Sequence, residues 1–306
     1  MSLADGLLVE HEAILELDGI NQMMDWQRIE KHLSIIYNKA EGNLSFPPLM
    51  MFKAMLLQSW YKLSDPALDK QLARNLLFRR FFGWSLSDKV PDHSTLWRFR
   101  QALQRAQLED ILLNEINQQM KQRGLLIQKG RISIVDASVI EAQRARPNKS
   151  KTGAAIQDSE AAWNVKTAAD GKRTSTYGYK GHISADEDGF IKATGYTAGN
   201  VHDSQQLKPL LDKEPETSEA LYANSAYASH DHDKELAARG IDNRILKRAY
   251  RNRPLSQQDK ATNWMWSQTR STVERVFGIL KLHYAMAKAR YVGLKRNAMR
   301  FDLMCM

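Results

Sequence analysis

Arg131-Ile132-Ser133-Ile134-Val135-Asp136-Ala137-Ser138-Val139-Ile140 decides how the rest of this chain is read. Its β-branched side chains suit an extended, packed backbone, and their near-continuous run predicts a mostly buried strand. A carboxylate, Asp136, sits toward the end of that strand. Downstream, Tyr177-Gly178-Tyr179-Lys180-Gly181-His182-Ile183-Ser184-Ala185 and Phe190-Ile191-Lys192-Ala193-Thr194-Gly195-Tyr196-Thr197 are strand-like, and Asp186-Glu187-Asp188-Gly189 between them supplies the turn chemistry of a hairpin. Between the first strand and this hairpin, residues 141–176 are polar, basic and alanine-rich with little periodicity, which predicts a basic loop.

The remainder alternates. A short helix is expected over Ser204–Leu211, a short strand over Ala220–Ala223 leading into Asn224, a helix over Glu235–Arg239, a strand over Asp242–Lys247, and a long helix from about Ser256 through Lys281. Upstream, the helix signals are dense. Leu49–Lys62 is apolar at helical spacing after Pro47-Pro48, Ser64-Asp65-Pro66 caps a helix expected to reach Phe82, and Pro91-Asp92-His93-Ser94 starts another. The expectation is a helical N-terminal domain over 1–125, serving DNA binding or dimerisation, and an α/β domain over 126–306. In the helix from Ser94, the cluster Trp97-Arg98-Phe99-Arg100 reads equally well as a phosphate-facing surface or as two aromatic core plugs beside solvated arginines.

Charge is unevenly placed. The 306 residues carry a net +9, yet the stretch Arg239–Arg300 holds 15 basic and three acidic residues, a net +12, and the rest of the chain sums to −3. A localised basic face suits a polyanion, most commonly nucleic acid. The sole cysteine, Cys305, excludes a disulfide framework or a cysteine zinc cluster within the chain. No apolar run approaches the roughly 18 residues that a membrane span requires, and the N-terminus lacks a leader pattern. A soluble, cytoplasmic protein is expected.

Three positions carry the chemistry: Asp136, then Asn224 in Tyr222-Ala223-Asn224-Ser225-Ala226-Tyr227, then Glu274 in Val273-Glu274-Arg275-Val276-Phe277-Gly278-Ile279-Leu280-Lys281. A strand-end carboxylate, a later strand-end polar residue and a glutamate on a basic helix are how a nuclease-type fold gathers ligands for paired Mg²⁺ ions. The element order is that of a ribonuclease-H-like mixed sheet, in which the strand bearing Asp136 neighbours the strand leading into Asn224.

The chain resembles the DDE transposases of bacterial insertion sequences, in the insertion-sequence-five group. Residues Leu49–Leu103 look like that family's N-terminal domain, and Val135-Asp136-Ala137, Tyr177-Gly178-Tyr179-Lys180-Gly181-His182, Ala198-Gly199-Asn200-Val201-His202-Asp203-Ser204 and Ala289-Arg290-Tyr291-Val292-Gly293-Leu294 look like motifs of its catalytic domain. Arg270, Glu274 and Lys281 reproduce its arginine, glutamate and lysine spacing. The resemblance implies an enzyme that binds its element's terminal inverted repeats, cuts there and joins the 3′ ends to target double-stranded DNA. It implies two Mg²⁺ ions, with Mn²⁺ as a substitute, held by Asp136, Glu274 and position 224. It also implies a homodimer on paired ends, associated with the bacterial nucleoid. Arg270 and Lys281, about one and two turns from Glu274, are expected on phosphates, with Arg275, Lys180 and Arg290 as further DNA contacts.

The departures matter as much. Family members carry aspartate where this chain has Asn224, so a full negative charge is missing from the expected site, and a poor or dead catalyst is expected. Asp203 offers an accessory ligand, against the plainer reading of an aspartate capping the next helix. Ser267 replaces a tyrosine three residues before Arg270, with Trp264 and Trp266 nearby to stack on a base or to pack. The chain stops inside what reads as its last helix, as a truncated frame would. Two other readings stand beside the transposase: a non-catalytic DNA-binding protein descended from one, acting as repressor or competitor, and a related nuclease that hydrolyses without joining.

Overall fold

The structure is a computed structural model that describes residues 11–36, 46–125, 132–143, 158–167, 171–250 and 253–306. It divides into two compact units, Met1–Leu125 and Leu126–Cys305. No described helix is long and apolar enough to cross a membrane.

The first unit is helical: α1 (Glu12–Leu15), α2 (Asp18–Met23), α3 (Trp26–Leu33), α4 (Pro48–Trp60), α5 (Asp65–Arg74), α6 (Leu76–Phe82), α7 (His93–Ala106) and α8 (Glu109–Gln122). Helix α4 is the hub, with Met51 through Gln58 all buried. Its Lys53 stays inside by donating to Asn21 Oδ1 and the Phe81 carbonyl, and burial lowers its pKa to about 8. The single helix expected from Ser64 to Phe82 is two. Asn75 ends α5 and its side chain accepts from the backbone N–H of Leu77 and Phe78, so one residue closes a helix and opens the next. Asp92 caps α7 by accepting from Thr95 N at 2.7 Å. Along α7 the aromatic and basic cluster splits by face. Phe99 and Arg100 are buried, Arg100 bridging Asp65 and Gln58, while Trp97 and Arg98 stay exposed.

The second unit is built on a six-stranded sheet: β1 (Ile132–Glu141), β2 (Ala162–Thr167), β3 (Arg173–Ala185), β4 (Ile191–Ala198), β5 (Ala220–Ala223) and β6 (Asp242–Ile245). Its path is β2-β3-β1-β5-β6, with β4 also on β3. β1 lies antiparallel to β3 and parallel to β5, and β5 is parallel to β6. Leaving β2 aside, this is the order of a ribonuclease-H-like sheet, with the Asp136 strand beside the strand that ends at Ala223. Helices α9 (Leu207–Lys213) and α10 (His230–Ala238) share a core with one face through Leu210, Leu221, Leu236 and Ile245. The 27-residue α11 (Gln257–His283) and α12 (Leu294–Cys305) share the other through Ile134, Tyr222, Val273, Phe277 and Phe301.

The basic loop expected over 141–176 is corrected in its second half. β2 forms there and β3 begins at Arg173, ahead of Tyr177; residues 144–157 lie outside the described ones. Six residues of β2 show alternation only through Trp163, Asn164 and Val165, too short to stand out among flanking alanines. Other limits shift less. Ser204–Leu211 resolves into a 3-10 turn, Asp203–Gln206, followed by α9, and β6 stops at Ile245.

The motif Tyr177-Gly178-Tyr179-Lys180-Gly181-His182 now has a packing explanation. A Cβ at Gly178 would lie 2.1 Å from the Ile140 carbonyl oxygen, and one at Gly181 2.7 Å from the Phe301 ring. His182 is fully buried, its Nε2 2.8 Å from Thr197 Oγ1. Burial, with a smaller contribution from Lys180, lowers its pKa to about 4, against an opposing pull from Asp203. Two outcomes are expected. Gly178→Ala lowers stability by about 3 kcal/mol or more, because the obstruction is backbone that cannot step aside, as urea unfolding would read. The unfolded chain protonates His182 near pH 6.5 and the folded chain only near pH 4, so stability falls as pH drops through that window. The parent should therefore lose up to about 3 kcal/mol more than His182→Gln between pH 7 and pH 4.

Candidate functional site

The parallel register Val135↔Ala223 sets the site. It places the next residue of each strand, Asp136 and Asn224, side by side where β5 leaves the sheet. Asn224 begins the 3-10 turn Ser225–Tyr227, and its Oδ1 accepts the Ala226 backbone N–H at 2.8 Å. A backbone N–H only donates, so the amide oxygen is committed to that side and the NH₂ must point the other way. It does, donating to Asp136 Oδ1 at 3.1 Å.

Helix α11 brings the other partners. Val273, Val276, Phe277 and Leu280 anchor it by one stripe, which directs Arg270 and Glu274, one turn apart, toward β1. Arg270 Nη2 donates to Asp136 Oδ2 at 2.9 Å and to Glu274 Oε1 at 3.0 Å. The Arg270 and Asp136 side chains are each 12% exposed and that of Glu274 60%, so the Arg270–Asp136 contact is the sheltered one. Both oxygens of Asp136 are thus taken by donors, and a guanidinium occupies the space between the two carboxylates. Beneath them lies Tyr227, a residue that spacing did not single out although it stands three positions after Asn224. Its phenol is fully buried with no hydrogen-bond partner among the described residues, and burial, followed by the Asp136 and Asp203 charges, pushes its pKa up.

The remaining expected site residues are distributed otherwise. Lys180, expected on DNA, is buried here and donates to Asp203 Oδ1 at 2.7 Å and to the Val201 carbonyl at 2.8 Å. The cap reading of Asp203 is corrected, because His202 caps the 3-10 turn through Ser204 N, and Asp203 is instead the ion-pair partner of Lys180. Arg270 is held by carboxylates where a phosphate contact was expected. Arg275 is exposed and donates to the Asp188 carbonyl, Lys281 is exposed without a partner among the described residues, and Arg290 is half-buried. None of these three bonds to Asp136, Asn224 or Glu274. Trp264 is 70% exposed, whereas Trp266 packs on the α11 core.

The donor set does not fit a pair of Mg²⁺ ions. Among the described residues no three His, Cys, Asp or Glu side chains converge. Arg270 joins the Asp136 and Glu274 carboxylates, and the oxygen of Asn224 faces away from them, onto the backbone.

Two family models match the chain. Residues 8–102 match a family model described as a transposase domain (DUF772), and residues 127–306 match one described as a transposase DDE domain. Solved structures similar to the chain include a piggyBac transposase synaptic complex with hairpin DNA, at 10% identity and a TM-score of 0.37, covering 89% of this chain and 70% of that one. A Mos1 transposase paired-end complex matches at 12% identity and a TM-score of 0.23, covering 87% and 86%. The DDE model alone spans more than half of the sequence, and the chain belongs to the DDE transposase family.

Proposed function

We propose that this chain is an insertion-sequence transposase of the insertion-sequence-five group that binds terminal inverted repeats and is impaired in cleavage and strand transfer by Asn224. The observation that carries the impairment is the direction of the Asn224 amide. Its NH₂ donates to Asp136 and its oxygen accepts the Ala226 N–H, so with Arg270 on the other side both oxygens of Asp136 are satisfied without a bound metal.

An aspartate at 224 would behave differently. One oxygen would keep the Ala226 bond and the other would face Asp136 Oδ1 across the 3.1 Å now spanned by a hydrogen bond. Two like charges at that distance repel by about 5 kcal/mol at an effective dielectric of 20, a cost that a divalent cation reverses. Aspartate makes the site demand a metal, and asparagine removes the demand. A loss of about 4 kcal/mol of transition-state stabilisation corresponds to a roughly thousandfold slower reaction.

DNA binding draws support from the +12 stretch Arg239–Arg300 and from Lys281, exposed on α11. Pairing of two copies on two ends, a place at the bacterial nucleoid, and a DNA or dimer role for the helical unit belong to the same reading. The Asn224 geometry equally favours a second reading, a non-catalytic binder that occupies the ends in competition with active copies.

Cleavage and strand transfer on a duplex carrying the element's end, with Mg²⁺ and then Mn²⁺, separate these. Asn224→Asp should be roughly a thousandfold more active than the parent, and both should bind equally. Equal activity in the two would refute the impairment. Binding without activity in either would support the competitor, and cut ends left unjoined would indicate a hydrolytic nuclease.

A further inference from the structure

β3 is longer than the sheet it belongs to. Its Gly178–Ala185 half pairs with β1, but Arg173–Thr176 pairs with β2 alone among the described residues, in the register Asn164↔Thr176 through Thr167↔Arg173. β2 ends the strand path, so these segments stand beyond the sheet as a two-stranded antiparallel ribbon. It is exposed almost throughout: Trp163, Val165, Lys166 and Thr167 on one strand, Lys172 to Ser175 on the other, with Asn164 turned in. Its described residues include Lys166, Lys172 and Arg173 and no acid. Trp163 and Val165, two apart and on one face, are 45% and 47% exposed, Trp163 leaning on Tyr177 at 5.3 Å. A lone ribbon with an apolar face and basic edges is unsupported as part of a core. Two strands spaced about 4.8 Å apart match the roughly 12 Å wide major groove, whose walls are phosphates and whose floor offers thymine methyls.

We infer that the β2–β3 ribbon is a duplex-DNA contact, seated in a groove with Lys166 and Arg173 on flanking phosphates, apart from the Asp136 site. The inference rests on the reading of this chain as a DNA-binding transposase. Distance along β3 sets where the ribbon falls. Asp136 pairs with Ile183, and from there to Arg173 the strand runs at most about 33 Å at 3.3 Å per residue. That is about one helical turn of B-DNA, so one duplex can meet the ribbon and the acidic pocket from the same side. The positive charge that composition located in Arg239–Arg300 is thereby extended to a second, separate place.

The test is the salt dependence of binding to a 40-bp duplex, read by fluorescence anisotropy. The full chain would be compared with Lys166→Gln/Arg173→Gln and with Lys208→Gln/Lys234→Gln, a control on α9 and α10. Losing two phosphate contacts lowers the slope of log affinity against log salt by about 1.8, so that going from 50 to 200 mM salt costs the parent about tenfold more affinity than the ribbon variant. The control should keep the parental slope. A ribbon variant with the parental slope, where the parent binds, overturns the ribbon contact and leaves the transposase reading intact. An unchanged slope with a shifted monomer–dimer equilibrium assigns the ribbon to a second copy of the chain and also overturns it. A parent that binds no duplex removes both readings together.

Discussion

The Asp136 carboxylate is the constraint on which the site depends. It sits nearly buried on a central strand, where an uncompensated charge would be costly, and it is compensated from two sides by Asn224 Nδ2 and Arg270 Nη2. Those two donors come from the end of β5 and from α11, so one carboxylate ties together the parallel strand pair and the long helix. Arg270 extends the tie to Glu274. Both oxygens of Asp136 are satisfied within the fold, while Arg270 Nε and the Tyr227 hydroxyl beside them are buried without a partner among the described residues.

The surrounding structure makes that centre rigid. Val273, Val276 and Phe277 fix the rotation of α11, and Gly178 and Gly181 let β3 approach β1 and Phe301 without a side chain between them. His182, Lys180 and Asp203 fill the same strand's neighbourhood with a neutral imidazole and an internal ion pair. These residues shape the floor under the site and carry no exposed charge of their own. The motif's glycines and lysine serve packing, whereas Arg275 and Lys281 of α11 lie at the surface.

Much of this was legible because strands and carboxylates coincide. The β-branched run around Asp136 announces a buried strand, and the short apolar segment Ala220–Ala223 places Asn224 at a strand end that parallel pairing then brings beside Asp136. Helical spacing places Arg270 and Glu274 on one face of α11. Spacing does not say what a side chain touches, and so the guanidinium between two carboxylates and the inward turn of Lys180 were not readable. Nor was His202 separable from Asp203 as the cap, since adjacent residues compete for that position and backbone dihedrals decide. β2 was hidden because a six-residue edge strand has too few alternations to rise above its polar, alanine-rich flanks.

The central claim is that Asn224 replaces a cation's role with hydrogen bonds, and thermal melting with EDTA and with millimolar Mg²⁺ tests it without requiring turnover. The account predicts a parent whose melting temperature Mg²⁺ leaves unmoved, and an Asn224→Asp variant that melts lower than the parent in EDTA and rises with Mg²⁺ as ion binding stabilises the folded state. A parent that gains as much from Mg²⁺ as the variant does would contradict it, because the asparagine site would then be holding the ion that its geometry turns away.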